Sequence, residues 1–385
     1  MPAYRHSIAS KLPAVGTTIF TVMSRLAQEH NAINLSQGFP DYDCDPALQD
    51  CVTRYMKAGH NQYPPMAGIP QLREAISAKV HALYGASYDP EHEITVTPGA
   101  TYAIFTAIAA MIRPGDEVIV FEPAYDSYVP ALEVQGGKAV YIGLKFPDYH
   151  INWDEVRTAI TPRTRMIIIN TPNNPTASVL SAADMQALEI LTRDTGILIV
   201  SDEVYEHIVF DGAAHQSAAR FPGLAERSFI VSSFGKTYHV TGWKMGYCLA
   251  PRELMTEFRK VHQFNAFTCN TPVQYALADF MQQPEHYLGL AAFYQKKRDY
   301  FRERLRESRF SLLPSDGTYF QSLRYDDVSN EKDIDFAMRL TRERGIAAIP
   351  LSAFYHEPPG HKVLRFCFAK KEETLFKGTE ILRRI

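Results

Sequence analysis

The sequence has few cysteines, no long apolar run and no large excess of charge. Its 385 residues include five cysteines, Cys44, Cys51, Cys248, Cys269 and Cys367. An odd number of cysteines without a Cys-x-x-Cys pair argues against a disulfide framework and is typical of thiols in a reducing compartment. Because no group of His, Cys and Glu has the spacing of metal ligands, we expect no metal site.

The charge pattern also argues against nucleic acid and membranes as partners. Lys and Arg number 40 against 43 Asp and Glu, which gives a formal net charge of -3. No stretch approaches the roughly 18 apolar residues of a membrane span, and residues 1–16 lack an apolar segment of signal-peptide length. We therefore expect a cytoplasmic protein that binds neither nucleic acid nor membranes.

From residue 94 onward, short apolar runs rich in β-branched residues alternate with helical patterns. The runs lie at 94–97, 117–121, 139–142, 166–170, 197–201, 229–232 and 246–250. This alternation predicts an α/β fold with a mainly parallel sheet that helices cover on both faces. Ligands of such sheets bind beyond the carboxyl ends of the strands, so we expect the chemistry in the loops that follow these runs.

The last hundred residues predict a smaller α/β domain. One long amphipathic helix at 285–307 is followed by short apolar runs, a helix at 333–343 and a closing helix. A turn-prone stretch, Ser36-Gln37-Gly38-Phe39-Pro40, precedes the main repeat. We predict an N-terminal segment at 1–45 that joins the small domain, a large domain at 46–285 and a small C-terminal domain at 286–385.

Three of the loops offer donors and a flat ring. In Thr97-Pro98-Gly99-Ala100-Thr101 the free N–H groups at a helix start could bind phosphate, although a plain helix start capped by Thr97 explains the motif as well. Tyr125 could stack on a cofactor ring or simply pack. Asn174, in Asn170-Thr171-Pro172-Asn173-Asn174-Pro175-Thr176, offers an amide donor or forms a turn.

Two further loops carry an acid and an amine. In Ser201-Asp202-Glu203-Val204-Tyr205, Asp202 ends an apolar strand and needs a cation such as a protonated ring nitrogen, unless it caps a helix. In Ser232-Ser233-Phe234-Gly235-Lys236, the amine of Lys236 could lose enough solvent to form a Schiff base, with Lys244 close behind. Together the five loops match the needs of pyridoxal 5'-phosphate.

The motifs Asn-x-Pro-Asn-Asn-Pro-Thr, Asp-Glu-Val-Tyr, Ser-Phe-Gly-Lys-Thr and Thr-Gly-Trp-Lys-x-Gly resemble those of the fold-type-I class I/II aminotransferases. With Ser36–Pro40 and Asn61-Gln62-Tyr63, the chain is most similar to the branch of kynurenine, glutamine and methionine aminotransferases. The resemblance covers about residues 38–365. It implies an aspartate-aminotransferase-like fold, with a seven-stranded sheet in the large cofactor-binding domain.

The resemblance also implies a role for each cofactor-binding residue. Lys236 would carry the cofactor and Asp202 would pair with its ring nitrogen. Asn174 and Tyr205 would bind the ring oxygen, and Tyr125 would stack on the ring. The phosphate would be bound by Ala100, Thr101, Ser233, Lys244 and Tyr63, the last from the other subunit of a homodimer. Many relatives carry arginine where Lys244 stands. Because lysine cannot make a bidentate contact, we expect phosphate binding here to depend more on backbone N–H groups.

For the substrate, the resemblance implies that Arg365 binds the α-carboxylate, with Asn174 and Gly38 beside it. Phe20 and Phe267, the latter from the partner chain, would line an apolar side-chain pocket. We therefore expect a ping-pong transfer of the amino group from an apolar, sulfur-containing or aromatic L-amino acid, methionine favoured, to a 2-oxo acid. The alternatives are a cysteine-conjugate β-lyase and a catalytically silent regulatory module.

Overall fold

The computed structural model describes residues 2, 4 and 6–385, whereas Met1, Ala3 and Arg5 of the predicted N-terminal segment lie outside the described residues. The strands are β1 (Ile33–Asn34), β2 (Ile94–Thr97), β3 (Glu117–Glu122), β4 (Lys138–Gly143), β5 (Thr164–Asn170), β6 (Leu198–Asp202), β7 (Ser228–Ser233), β8 (Gly246–Leu249), β9 (Ser311–Leu312), β10 (Phe320–Arg324), β11 (Ile346–Ala347), β12 (Ile349–Pro350) and β13 (Val363–Cys367).

The α-helices are α1 (Ile19–Glu29), α2 (Pro46–Lys57), α3 (Pro70–Tyr84), α4 (Ala100–Met111), α5 (Tyr128–Val134), α6 (Trp153–Ala159), α7 (Ala182–Thr192), α8 (Pro222–Ala225), α9 (Phe234–Thr237), α10 (Arg252–Asn265), α11 (Thr271–Phe280), α12 (Glu285–Leu288), α13 (Leu290–Leu305), α14 (Asp333–Arg339) and α15 (Glu372–Arg383). Short 3-10 helices cover Ala218–Arg220, Thr241–Trp243 and Leu351–Phe354, and Leu340–Arg344 forms a π-helical turn.

The large sheet contains seven strands in the order β2-β8-β7-β6-β5-β3-β4. Only β8 runs antiparallel to its neighbours β2 and β7, and the other pairs are parallel. Each predicted apolar run from 94 to 250 is a strand of this sheet, so the predicted α/β fold with a mainly parallel sheet is confirmed. The runs were readable because strands buried on both faces need apolar residues at every position.

Helices cover both faces of the large sheet and leave its carboxyl edge open. Alternate residues of the strands point to opposite faces: Ile167 and Ile199 pack in the same core cluster as α3, α7 and α11, whereas Ile168 and Val200 pack in the cluster that contains α4, α5 and α10. These two apolar layers fix the strands in register. The loops after β5, β6 and β7 therefore meet along one edge.

A smaller antiparallel sheet, in the order β12-β13-β10-β9, follows α13 in the chain. The N-terminal strand β1 pairs in parallel with β11, where Ile33 lies opposite Ile346. This pairing places β1 beside a strand of the C-terminal hundred residues, and the assignment of residues 1–45 to the small domain stays a prediction. The domain boundaries after residues 45 and 285 stay a prediction.

The single long helix predicted at 285–307 is wrong. The structure has two helices there, α12 and α13, separated at Gly289. Glycine is about 1 kcal/mol less favourable than alanine inside a helix, so the break falls where helical propensity is lowest. The helix predicted at 333–343 is α-helical only as far as Arg339 and continues as a π-helical turn to Arg344.

Within the part of the chain that the structure describes, no helix has the length and apolar character needed to cross a bilayer. Among the same residues, His, Cys, Asp and Glu side chains do not gather in groups of three or more that could hold a metal ion.

Candidate active site

A cavity of about 190 Å³ lies at the carboxyl edge of the large sheet. It is bordered by the ends of β5, β6 and β7 and by the first turn of α4. The predicted residues that line it are Ala100, Thr101, Tyr125, Asn174, Asp202, Tyr205, Ser233, Lys236 and Lys244. Residues from five separate loops thus meet in one cavity.

Lys236 lies in the short helix α9, directly after β7. Its Nζ donates to the carbonyl oxygen of Gly38 at 3.2 Å and lies 5.7 Å from the ring centre of Tyr205. Burial lowers the pKa of the Lys236 amine to about 8, and the nearby cations Arg365 and Lys244 lower it further. About a tenth of this amine is therefore neutral and nucleophilic at pH 7, far more than for an ordinary lysine.

Asp202, the last residue of β6, is 4% exposed. One of its carboxylate oxygens accepts a hydrogen bond from the Tyr128 hydroxyl at 2.5 Å, and the other accepts a long bond of 3.4 Å from Val204 N. Burial raises the pKa of Asp202 to about 6, although Tyr128, Val204 and Lys236 favour its ionised form. This acid lacks a full counter-charge in the protein itself, so a cationic group in the cavity would stabilise it.

Sequence reasoning missed Tyr128. It is buried at the start of α5, three residues after Tyr125, and the two rings meet edge to face with centroids 5.7 Å apart. The three-residue spacing of the two tyrosines is the only signal in the sequence that could have indicated a shared surface. Nothing local indicates that the hydroxyl reaches Asp202.

One end of the cavity combines an uncapped helix start with a lysine amine. Gly99, with φ of 84°, begins α4 without a side-chain cap, so the first N–H groups of this 12-residue helix have no partner from the cap residue. Thr97 does not cap the helix, because its hydroxyl donates to Gly99 O. A Cβ added at Gly99 would lie 3.5 Å from Lys244 Nζ, which places this amine beside the helix start.

Arg365 lies on β13 and is 1% exposed. Its guanidinium donates to Asn174 Oδ1 at 2.5 Å and to Ser36 O at 3.1 Å, whereas its Nε is buried without a hydrogen-bond partner. Burial lowers the pKa of Arg365 to about 10. A buried guanidinium whose Nε has no acceptor is suited to bind a carboxylate.

Aromatic rings surround this guanidinium. Its central carbon lies 4.0 Å from the ring centre of Phe320, 5.1 Å from that of Phe354 and 5.5 Å from that of Phe20. Gly38 packs against the same ring of Phe320, since an added Cβ would lie only 2.8 Å from Phe320 Cζ. The predicted residues Phe20 and Gly38 thus lie beside Arg365 and Lys236, although neither lines the cavity itself.

Tyr63 and Phe267 do not reach the cavity within one chain. Their rings meet edge to face at 5.6 Å, and they are 84% and 40% exposed, respectively. Their predicted roles both require a second subunit. Exposed aromatic pairs of this kind are enriched in protein interfaces.

Taken together, the cavity offers an anion-binding helix start at one end and a buried acid at another point. An amine of lowered pKa lines the same cavity, and the buried guanidinium of Arg365 lies close by, hydrogen-bonded to the cavity residue Asn174. This set fits a flat, anionic group that carries a carbonyl and a basic ring nitrogen. The orphaned Nε of Arg365 fits a second, carboxylate-bearing molecule.

Comparison with known proteins agrees with this chemistry. The family model for class I and II aminotransferases matches residues 30–382. Methionine aminotransferase of Escherichia coli (strain K12) is 51% identical over 377 residues, 98% of each chain. The crystal structure of Escherichia coli YbdL, described as having a methionine aminotransferase function, has a TM-score of 0.97 at 51% identity and covers 99% of this chain and 100% of its own. Human kynurenine–oxoglutarate transaminase 1 is 32% identical over 414 residues, 98% of this chain and 97% of its own. The chain belongs to the class I and II aminotransferase family.

Proposed function

We propose that this protein is a pyridoxal-phosphate-dependent aminotransferase that moves the amino group of methionine, or of a similarly apolar amino acid, to a 2-oxo acid. The observation that carries the proposal is the Lys236 amine, whose pKa is lowered to about 8 in a cavity that it shares with the buried acid Asp202. A group in a cavity whose pKa is strongly shifted by burial and by charged neighbours is a candidate for a role in the chemistry.

The residues of the cavity divide into four groups around the cofactor. Ala100, Thr101, Ser233 and Lys244 would hold its phosphate. Asp202 would keep a proton on the ring nitrogen, and Tyr125 would lie against a ring face. Asn174 and Tyr205 would bind the ring oxygen. When bound, pyridoxal phosphate supplies an aldehyde that condenses with amines and a ring that accepts electrons from the adjacent carbon.

Lys236 has two tasks in this proposal. Its neutral amine would bind the cofactor covalently, and after the substrate has displaced it, Nζ would carry the proton removed from the substrate Cα. The carbonyl of Gly38, which accepts from Nζ at 3.2 Å, would orient the freed amine. A general base acts best when its pKa is close to the working pH, and a value of about 8 satisfies that condition.

The surroundings of Arg365 support an apolar substrate. Its guanidinium would bind the α-carboxylate, and the ring centres of Phe20 and Phe354 lie 5.5 Å and 5.1 Å from its central carbon. These rings meet edge to face at 5.8 Å and offer no charge to an acidic side chain. The name of the Escherichia coli relative makes methionine the first substrate to test. One methylene group more or less on the substrate changes the selectivity of an apolar pocket by only roughly 10- to 200-fold.

The proposal includes a homodimer. Tyr63 and Phe267 would complete the site of a second copy, Tyr63 at the phosphate and Phe267 at the side-chain pocket. Their exposure of 84% and 40% in the single chain supports this placement. Size-exclusion chromatography with light scattering would test it, and a monomer at micromolar concentration would contradict it.

The decisive experiment is a screen of the twenty amino acids against several 2-oxo acids with the purified protein. We expect transfer with methionine and aromatic amino acids and little with aspartate. Lys236→Ala should abolish both transfer and the visible absorbance of the bound cofactor, whereas the matched control Lys297→Ala should retain both. Wild-type transfer by Lys236→Ala would refute the assignment.

The β-lyase alternative is tested in the same preparation. A cysteine conjugate incubated without a 2-oxo acid should release little pyruvate and ammonia. The relatives compared above are named aminotransferases or transaminases, which does not favour the lyase as the main activity. Release of pyruvate and ammonia faster than transamination would make the lyase the main activity.

A further inference from the structure

The end of β6 and the loop after it bury three carboxylates within five residues. Asp202, Glu203 and Glu206 are 4%, 1% and 6% exposed, respectively. Burial of a carboxylate is costly unless hydrogen bonds and an opposite charge compensate for the lost water. Only Asp202 lines the cavity, so the other two acids are not explained by contact with cofactor or substrate.

Glu206 is bound by four donors. Its carboxylate accepts from Lys79 Nζ at 2.6 Å, Tyr84 OH at 2.5 Å, Ser232 Oγ at 2.8 Å and Tyr247 OH at 3.2 Å. Burial by itself would raise the pKa of Glu206, but Lys79 and the hydroxyl groups hold it well below the ordinary value. The group is therefore a carboxylate throughout the physiological pH range.

The donors to Glu206 come from the elements that build the active site. Ser232 lies in β7, one residue before Ser233, and Tyr247 lies in β8 directly after Gly246. A Cβ added at Gly246 would lie 3.1 Å from Ala100 N, at the start of α4. One carboxylate thus ties together the ends of β6, β7 and β8 and joins them to α3.

Glu203 holds the same loop at a second point. Its carboxylate accepts from Ser201 Oγ at 2.7 Å, His215 Nε2 at 2.9 Å and Ala218 N at 2.9 Å. The two acids lie on either side of the pair Val204 and Tyr205. Seven hydrogen bonds of 2.5 to 3.2 Å to Glu203 and Glu206 therefore fix the segment that brings Asp202 and Tyr205 to the cavity.

We infer that the buried Lys79–Glu206 pair is a positioning device that holds Asp202 and Tyr205 against the cofactor ring, and that Glu206 is a positioning residue for the proposed reaction. The inference rests on the proposed function. Neither Lys79 nor Glu206 lines the cavity, so their effect reaches the cofactor only through the strand ends. Displacement of a catalytic group by about 1 Å is enough to cost a large part of its contribution.

The test compares three variants of the holoenzyme with the wild type. Glu206→Gln leaves Lys79 buried without a counter-charge. Lys79→Met/Glu206→Leu replaces the pair by apolar side chains, a change that commonly restores stability. Tyr84→Phe removes one 2.5 Å hydrogen bond and no charge, so we expect it to fold like the wild type. The measurements are the melting temperature, the dissociation constant of pyridoxal phosphate and the pH titration of the cofactor absorbance.

We expect Glu206→Gln and the double variant to bind pyridoxal phosphate at least about tenfold more weakly than the wild type, and Tyr84→Phe to bind it about threefold more weakly. All three variants should shift the midpoint of the absorbance titration. The double variant should melt at a higher temperature than Glu206→Gln because it leaves no unpaired buried charge, although the hydroxyl groups of Tyr84, Ser232 and Tyr247 lose this acceptor. Glu117→Gln is the matched control, because Glu117 is also buried in the large sheet and bonded to Arg163, but at the opposite end of its strands. It should lower the melting temperature and leave the cofactor measurements unchanged.

Two results would overturn the inference. The first is a double variant that binds cofactor and titrates like the wild type, since the pair would then be merely structural. The second is a Tyr84→Phe variant with unchanged cofactor affinity and titration, which decides the matter even where the other variants do not fold. Failure of the proposed function is distinguishable from both, because the wild type itself would then show no visible absorbance with pyridoxal phosphate.

Discussion

Replacement of Asp202 by asparagine should stabilise the cofactor-free protein while it damages the enzyme. The pKa of this buried acid is raised from 3.8 to about 6. A carboxyl with a raised pKa binds its proton more tightly in the folded than in the unfolded chain, so its contribution favours folding at low pH. That contribution is lost as the pH rises through the interval from 3.8 to about 6.

The size of the effect follows from the structure. At about 1.36 kcal/mol per pH unit, the rise in pKa corresponds to about 3 kcal/mol of lost stability at pH 7. An asparagine amide oxygen can still accept the 2.5 Å bond from Tyr128, and only the 3.4 Å bond from Val204 is lost, a cost of about 1 kcal/mol at most. We therefore expect Asp202→Asn to raise the free energy of unfolding by about 2 kcal/mol at pH 7.

The assay is urea unfolding of both cofactor-free proteins between pH 4 and pH 8. The difference between them should be greatest at pH 7 and small at pH 4. There Asp202 is protonated in the folded protein and only partly ionised in the unfolded chain, so the remaining electrostatic gain no longer exceeds the cost of the lost Val204 bond. With pyridoxal phosphate bound, the wild type should be the more stable of the two proteins, because only the carboxylate pairs with a protonated ring nitrogen. Glu117→Gln is a control with the opposite expected sign. Thr161 and Arg163 hold the pKa of Glu117 below its ordinary value, so loss of this carboxylate should destabilise the folded protein at pH 7. A cofactor-free wild type more stable than Asp202→Asn at pH 7, or a difference independent of pH, would refute the reasoning.

Three further outcomes are expected. Arg365→Lys should lower kcat/KM for methionine by about 10- to 100-fold, mainly through KM, because lysine cannot reproduce a bidentate bond to the carboxylate; an unchanged KM would contradict that role. Gly38→Ala should raise KM in the same assay, because its Cβ would lie 2.8 Å from Phe320 Cζ, whereas the control Gly143→Ala, with nothing within 4 Å, should behave like the wild type. The rate at which cofactor-free protein forms a Schiff base with pyridoxal phosphate should rise with a midpoint near pH 8, because the neutral Lys236 amine is the nucleophile, and a midpoint near 10.5 would contradict its lowered pKa.

The fold was predictable to the extent that it depends on repeated local signals. Strands buried on both faces require continuous apolar runs, and those runs located the strands of the large sheet to within two residues at each end. The break at Gly289 was missed because a helical pattern on both sides of a single glycine also fits one continuous helix.

The candidate site was predictable in its loops and less so in its contacts. The motifs around Asn174, Asp202 and Lys236 could be read because each follows a strand of the sheet. The role of Tyr128 could not be read, because its hydrogen bond to Asp202 joins residues far apart in the sequence. The same holds for Lys79, whose bond to Glu206 links α3 to the loop after β6. Neither contact leaves a periodic or local trace in the sequence.

The amino-acid sequence by itself determined the alternation of strands and helices, the edge of the sheet at which the loops meet, and the residue types that those loops present. Only the tertiary structure decided how acidic or basic those residues are. The pKa of Lys236 is lowered to about 8 and that of Asp202 is raised to about 6, chiefly because water is excluded from both. Burial and the distance between charges depend on how remote segments pack, and the electrostatic energy of a group depends on both.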